Sequence, residues 1–252
     1  QWRKSDQTGN LYPDPDMKLR RYLGGGRLEQ DGEWHCEYDA DGNLTERYLG
    51  TGRWLDGKKD RWRYRWNADG SLAKVVRPDK REVEFTYDAL GRRLSKSFGT
   101  TVTRWVWNGN VPLHQWKQHR EYSVMEDRWN TDTERRDMTV WLFDEESFVP
   151  VAMIKEGRSY SILTDQLGTP TEAYDAEGNE VWSRVLDMDG NVIEETGNKG
   201  MVPFLFQGQY YDRETGLAYN RFRYYSPKMG MYVSQDPIGL EGGILNLYGY
   251  VD

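Results

Sequence analysis

The chain has 252 residues, enough for one large β domain or two smaller ones with a sizeable core. Its formal charge of −7 argues against a nucleic-acid-binding surface, which needs clustered Lys and Arg in excess, and its one cysteine, Cys36, excludes an internal disulfide framework and a cysteine-only zinc site. Only 37% of residues are hydrophobic, yet there are 11 Trp and 17 Tyr, so the interior is expected to be built from rings that bury large area while keeping a wet polar end.

The N-terminus, "QWRKSDQTGN", has no apolar core of a signal peptide and begins as if in mid-pattern, the expectation being a fragment or a processed chain. No run of about 18 apolar residues predicts a membrane-crossing helix. The glycine cluster "LGGGR" (Leu23 to Arg27) lacks the following lysine or dinucleotide pattern of a phosphate loop. His35 beside Cys36 invites a metal or nucleophile reading. On a strand the two point to opposite faces, and no ligand spacing links them to His114 or His119, so no metal and no cofactor are expected.

Repetition is the clearest signal. "YDADGNL" (Tyr38 to Leu44), "WNADGSL" (Trp66 to Leu72), "YDALGRRL" (Tyr87 to Leu94) and "YDAEGNEV" (Tyr174 to Val181) share one grammar, an aromatic, Asp or Asn, two residues and Gly; "DMDGNVI" (Asp187 to Ile193) lacks only the aromatic. Each predicts a hairpin, because Asp or Asn caps its own turn and Gly supplies a positive φ. Between turns the chain alternates with period two: Trp62, Tyr64 and Trp66 oppose Arg61, Arg63 and Arg65, and Val83, Phe85 and Tyr87 share a face. Further strands are predicted over Thr103–Gly109, Met138–Asp144 and Ser159–Asp165. The uneven spacing of Gly42, Gly70 and Gly91 favours a continuous sheet of hairpins over a fixed-period solenoid. The charged stretch Lys117 to Asp137 lacks turn glycines and reads as an exposed insertion or long loop.

The Tyr-Asp repeats resemble those of the Rhs / YD-repeat family, whose relatives include the C component of insecticidal toxin complexes and the teneurins. "DQLGTPTEAYDAEGNEVW" (Asp165 to Trp182), "FQGQYYDRETGLAYNRFRYYSPKMGMYVSQDPIGLEGG" (Phe206 to Gly243) and "NLYGYV" (Asn246 to Val251) are similar to the Rhs-repeat-associated core of polymorphic toxins. The resemblance implies a mainly β fold: a large curled antiparallel sheet of YD-repeat hairpins forming part of a hollow β-shell (cage). It divides the chain into a YD-repeat segment, 1–164, with the insertion near 117–137, and a core segment, 165–252, ending at the first DPxGL motif.

In that family the shell encloses a C-terminal toxin domain, and the core acts as an intramolecular aspartic protease that frees it. Such a protease needs two carboxylates sharing one proton, one polarising the carbonyl while the other activates water. By resemblance, Asp236 in "DPIGL" is one of them and Arg223 in "RFRYY" orients or charge-balances the pair. The second carboxylate and the scissile bond are expected beyond Asp252, in a longer parent. Read without the family, Asp-Pro-x-Gly is a turn, and Arg223 is a solvated or salt-bridging strand residue. Asp212 in "YYDRETG" is a candidate second carboxylate or a hairpin-turn residue, and Ser226 stands where the family commonly has an acid.

The resemblance implies the toxin domain and the remaining shell strands as partners, with secretion components or a chaperone besides, and neither nucleic acid nor membrane. Synthesis in the bacterial cytoplasm and delivery to target cells, by a type VI apparatus for example, go with it. Two alternatives stand beside this one: an aromatic-rich module binding carbohydrate or other surfaces without catalysis, and a hydrolase acting in trans.

Overall fold

A computed structural model describes residues 3–50, 58–243 and 245–250. Strands and turns account for nearly all the order; besides two short 3-10 turns, Gly24–Gly26 and Gly239–Gly242, no helix occurs among the described residues, and none is long and apolar enough to cross a membrane. The antiparallel hairpin architecture expected from the repeats is the one observed.

The Asp-x-x-Gly turns share one construction. At the Asp39 copy, the Asp39 N–H donates to the Asn43 carbonyl (3.0 Å), the Gly42 N–H donates back to the Asp39 carbonyl (3.1 Å), and the Asn43 N–H donates to Asp39 Oδ1 (2.8 Å). Gly42 closes the loop in the left-handed region, at φ 79°, the arrangement of a three-residue hairpin loop with a glycine bulge. The same two backbone bonds recur at Asn67, Asp88, Asp175 and Asp187, and also at Asp6 and Asp165. They recur once more at Arg77–Arg81, where Lys80 takes the left-handed position at φ 66° without any glycine.

The chain forms two compact units. The first comprises Gln1–Glu82 and Thr215–Asp252. Its strands Arg20–Leu23, Arg27–Asp31, Trp34–Tyr38, Leu44–Leu49, Lys59–Trp66 and Leu72–Val76 each pair antiparallel with the next in sequence. Period two is visible in burial: Tyr64 is buried while Arg63 and Arg65 are exposed. The C-terminal strands Leu217–Asn220, Arg223–Ser226 and Met231–Tyr232 form a second meander with Ala218, Tyr219, Tyr224, Tyr225 and Met231 in the core. The tail then returns to the repeats. Leu44 N–H donates to the Val233 carbonyl (2.9 Å), Leu247 N–H to the Gly25 carbonyl (3.2 Å), and Tyr38 packs edge-on against Tyr248.

The second unit, Val83–Glu214, is a longer meander running from the strand Glu82–Tyr87 through Arg93–Phe98, Thr101–Asn108, Val111–Ser123, Arg136–Phe143, Pro150–Lys155, Arg158–Thr164, Pro170–Tyr174 and Glu180–Leu186 to Val192–Gly197. One face carries Trp105, Trp141, Met153, Ile162, Ala173 and Trp182, all buried. Phe204 covers it, with ring centroids 4.7 Å from Trp141 and 5.8 Å from Tyr210. Each buried Trp contributes about 4–6 kcal/mol of transfer free energy before ordering costs.

One sequence expectation is refined. The stretch 117–137 is not a long loop: Val111–Ser123 continues through it, and Arg120–Ser123 pairs with Arg128–Thr131 as an exposed hairpin. Asp127, at φ 51°, takes the place a glycine would hold in its turn. The strands on either side of the similarity boundary at 164/165, Arg158–Thr164 and Pro170–Tyr174, pair antiparallel.

Candidate functional site

The C-terminal meander brings the two candidate residues together. Leu217–Asn220 and Arg223–Ser226 form a hairpin whose turn holds Arg221 at φ 56° and leaves Phe222 exposed, so the chain re-enters the sheet at Arg223. The Arg223 guanidinium lies over the ring of Tyr232, 3.7 Å from its centroid, and its Nη2 donates to Asp236 Oδ2 at 3.0 Å. The two side chains are 11% and 22% exposed, so this pair is held more firmly than a solvated surface pair. Tyr232 is fixed in turn by Asn220, whose Nδ2 donates to its hydroxyl (2.7 Å), and by Tyr250, stacked on it at 5.9 Å. Burial pushes the Tyr232 phenol up to about 12, so it stays neutral beside the ion pair.

Asp236 makes its turn as well. Its Oδ1 accepts the Ile238 N–H (3.0 Å), its carbonyl accepts the Gly239 N–H (2.9 Å), and its own N–H donates to the Leu247 carbonyl (2.9 Å). The turn reading and the arginine-paired reading therefore hold at once. Among the described residues, the side-chain partners of Asp236 are Arg223 and the Ile238 amide. This gives an oriented carboxylate, one of the two groups that proton sharing requires.

Asp212 stands at the entry to the turn at 213–216 and is a buried ion-pair residue. It ends the strand Tyr210–Asp212, has no exposed side chain, and pairs with Arg93 and with Lys96 Nζ at 2.9 Å. Arg93 is sealed among the rings of Phe85, Trp105 and Tyr210. Burial lowers the Lys96 amine, but Asp212 and Glu214 more than offset it, leaving the group above the usual lysine value. These charges anchor the fold across more than a hundred residues of sequence, which no local motif announces.

The other candidates are structural. Ser226 is buried and its hydroxyl accepts the Met229 N–H (3.3 Å), capping the turn before Met231. Cys36 faces the core, where burial pushes its thiol up to about 12, while His35 stacks on Tyr48 on the opposite face.

Known proteins similar to this chain point one way. Residues 6–242 match the family model described as Teneurin YD-shell. The chain is 32% identical over 97% of its length to the double-stranded DNA deaminase toxin A of Burkholderia cenocepacia, and 33% identical over 90% to the toxin protein Tse5 of Pseudomonas aeruginosa. It spans 18% of each of these relatives. Among solved structures, TcdB2-TccC3-TEV is similar in fold, with a TM-score of 0.57 over 86% of this chain and 13% of that one, at 18% identity.

Proposed function

The chain belongs to the YD-shell family, and from that premise we propose that it is the C-terminal part of a toxin-enclosing shell, contributing Asp236 to an intramolecular aspartic cleavage that frees a C-terminal toxin domain. The observation that carries this reading is the Arg223 Nη2 to Asp236 Oδ2 contact within a doubly anchored turn. Arg223 aims Asp236 through that contact. A second carboxylate, supplied by a longer parent chain, carries the shared proton; water attacks the scissile carbonyl, and the acid returns the proton to the leaving amine. Toxic relatives such as the deaminase toxin and Tse5 support enclosure of a toxic partner, and delivery through a secretion apparatus accompanies that role.

The test is the pH profile of self-cleavage in a parent-length product, wild type beside Arg223→Lys and Arg223→Met. An arginine that positions the acid predicts a bell-shaped acidic profile that shifts and falls by roughly 10–100-fold in the Met variant and less in the Lys variant. Unchanged profiles in both variants would remove Arg223 from the site.

A second reading, carbohydrate or surface binding, is favoured by Tyr122 and Trp129, each 43% exposed and 5.5 Å apart on the hairpin that follows Arg120. Saturable glycan binding abolished by Trp129→Ala is its expected sign; a glycan screen without hits counts against it.

A further inference from the structure

Although the chain is acidic overall, one recess in the second unit is lined by more cations than carboxylates. A cavity of about 240 Å³ is lined in part by Trp141, Lys155, Arg184 and Lys199. Lys155 and Lys199 also line an adjoining recess of about 770 Å³, at whose wall Arg158 stands. Two of the acids on these walls are already engaged: Asp137 by Lys117 Nζ at 2.6 Å and Glu214 by Lys96 Nζ at 2.7 Å. Glu156 remains in the wider recess. Lys155, Arg158 and Lys199 make no salt bridge among the described residues; Lys155 acts on Asp137 only at longer range, helping to lower its pKa.

Two buried donors line the same cavity. Arg184, 4% exposed, gives its Nη groups to the Val202 and Phe204 carbonyls, and its Nε finds no acceptor among the described residues. Trp141, 2% exposed, likewise has no acceptor for its Nε1–H. Buried donors without acceptors are costly, and a buried guanidinium without a contacting carboxylate more so. Burial holds the Arg184 guanidinium down at about 10, and Glu195 offsets only part of that. A surplus of donors and positive charge in one cavity selects a ligand rich in acceptors and negatively charged.

We propose that this cavity binds a small oxyanion, a phosphate or sulfate group, held by Lys155, Lys199 and the buried Arg184. It owes nothing to the glycine-rich segments of the sequence, and it is independent of the Asp236 site.

The test is calorimetric titration of the chain with inorganic phosphate and, separately, with adenosine 5′-monophosphate, at ionic strength held constant with chloride. Saturable binding of one equivalent is expected. The Lys155→Gln/Lys199→Gln double variant, changed at two surface positions, should weaken it by about tenfold or more, while Lys155→Arg/Lys199→Arg and the remote Lys18→Gln/Lys80→Gln retain it. Tighter binding of the free ion identifies inorganic phosphate as the source of the oxyanion, and tighter binding of the nucleotide identifies a phosphorylated metabolite. Failure of both to saturate at millimolar concentration, or equal affinity in the Gln double variant and wild type, would overturn the assignment.

Discussion

Tyr248 donates its phenolic hydrogen bond to the carbonyl of Gly42, at 2.6 Å, joining the C-terminal tail to a repeat turn 206 residues earlier. A Cβ at Gly42 would stand 2.6 Å from Gln235 Cδ and 2.7 Å from the Tyr248 hydroxyl, so the turn glycine also makes room for the tail. Gly178 occupies the same turn position with open space around it. Gly178→Ala is expected to cost about 1 kcal/mol of backbone strain, and Gly42→Ala at least about 1 kcal/mol more because Gln235 and Tyr248 must move. Urea unfolding of the two variants measures the difference; equal losses would mean that the tail docks without regard to the turn.

The Arg93, Lys96 and Asp212 cluster is expected to dominate the polar energetics of the second unit. Asp212→Asn leaves Arg93 buried without its counter-ion and should cost about 3–5 kcal/mol. Glu214→Gln, at a partly exposed position, should cost about 1 kcal/mol or less. Comparable losses in the two variants, read from chemical denaturation, would show that the buried pair is not the anchor inferred from its geometry.

Much of this architecture was legible because its signals are local. An Asp that caps its own turn and a Gly three residues later announce a hairpin wherever they fall. Two turns escaped because Lys80 and Asp127 adopt the left-handed conformation that glycine usually marks, and the hairpin after Arg120 also carries charge on both faces. The Arg223 to Asp236 pairing was anticipated from family resemblance, and geometry supplied Tyr232 as the platform beneath the arginine. The ion pairing of Asp212 is not legible in the sequence because its partners lie on the strand Arg93–Phe98, more than a hundred residues away, where "GRRLSKS" looks like a turn followed by an ordinary polar strand. The cationic recess assembles residues from separate strands and the turn after Val192–Gly197 with no shared motif, so composition alone points away from it.

Stability should fall in alkali before the chain is chemically damaged. Burial pushes the phenols of Tyr210, Tyr232 and Tyr248 up from 10.0 to about 12. Because the folded values are raised, the stabilisation from keeping these groups neutral is complete below pH 10, declines above it, and is lost as pH passes about 12. Tyrosinate absorbance and circular dichroism, followed together from pH 9 upward, should show the buried phenols ionising in the same cooperative step as unfolding. Smooth ionisation of all tyrosines near pH 10 with structure intact would contradict the burial of these rings.

Cleavage through Asp236 is read from the intact mass of the parent-length product, wild type beside Asp236→Asn, with circular dichroism confirming that both fold. Wild type is expected to separate into two chains downstream of Asp252, and the Asn variant, equally folded, to stay whole. Separation of the Asn variant at the wild-type rate would contradict that role, leaving Asp236 a turn former paired with Arg223 for structure alone.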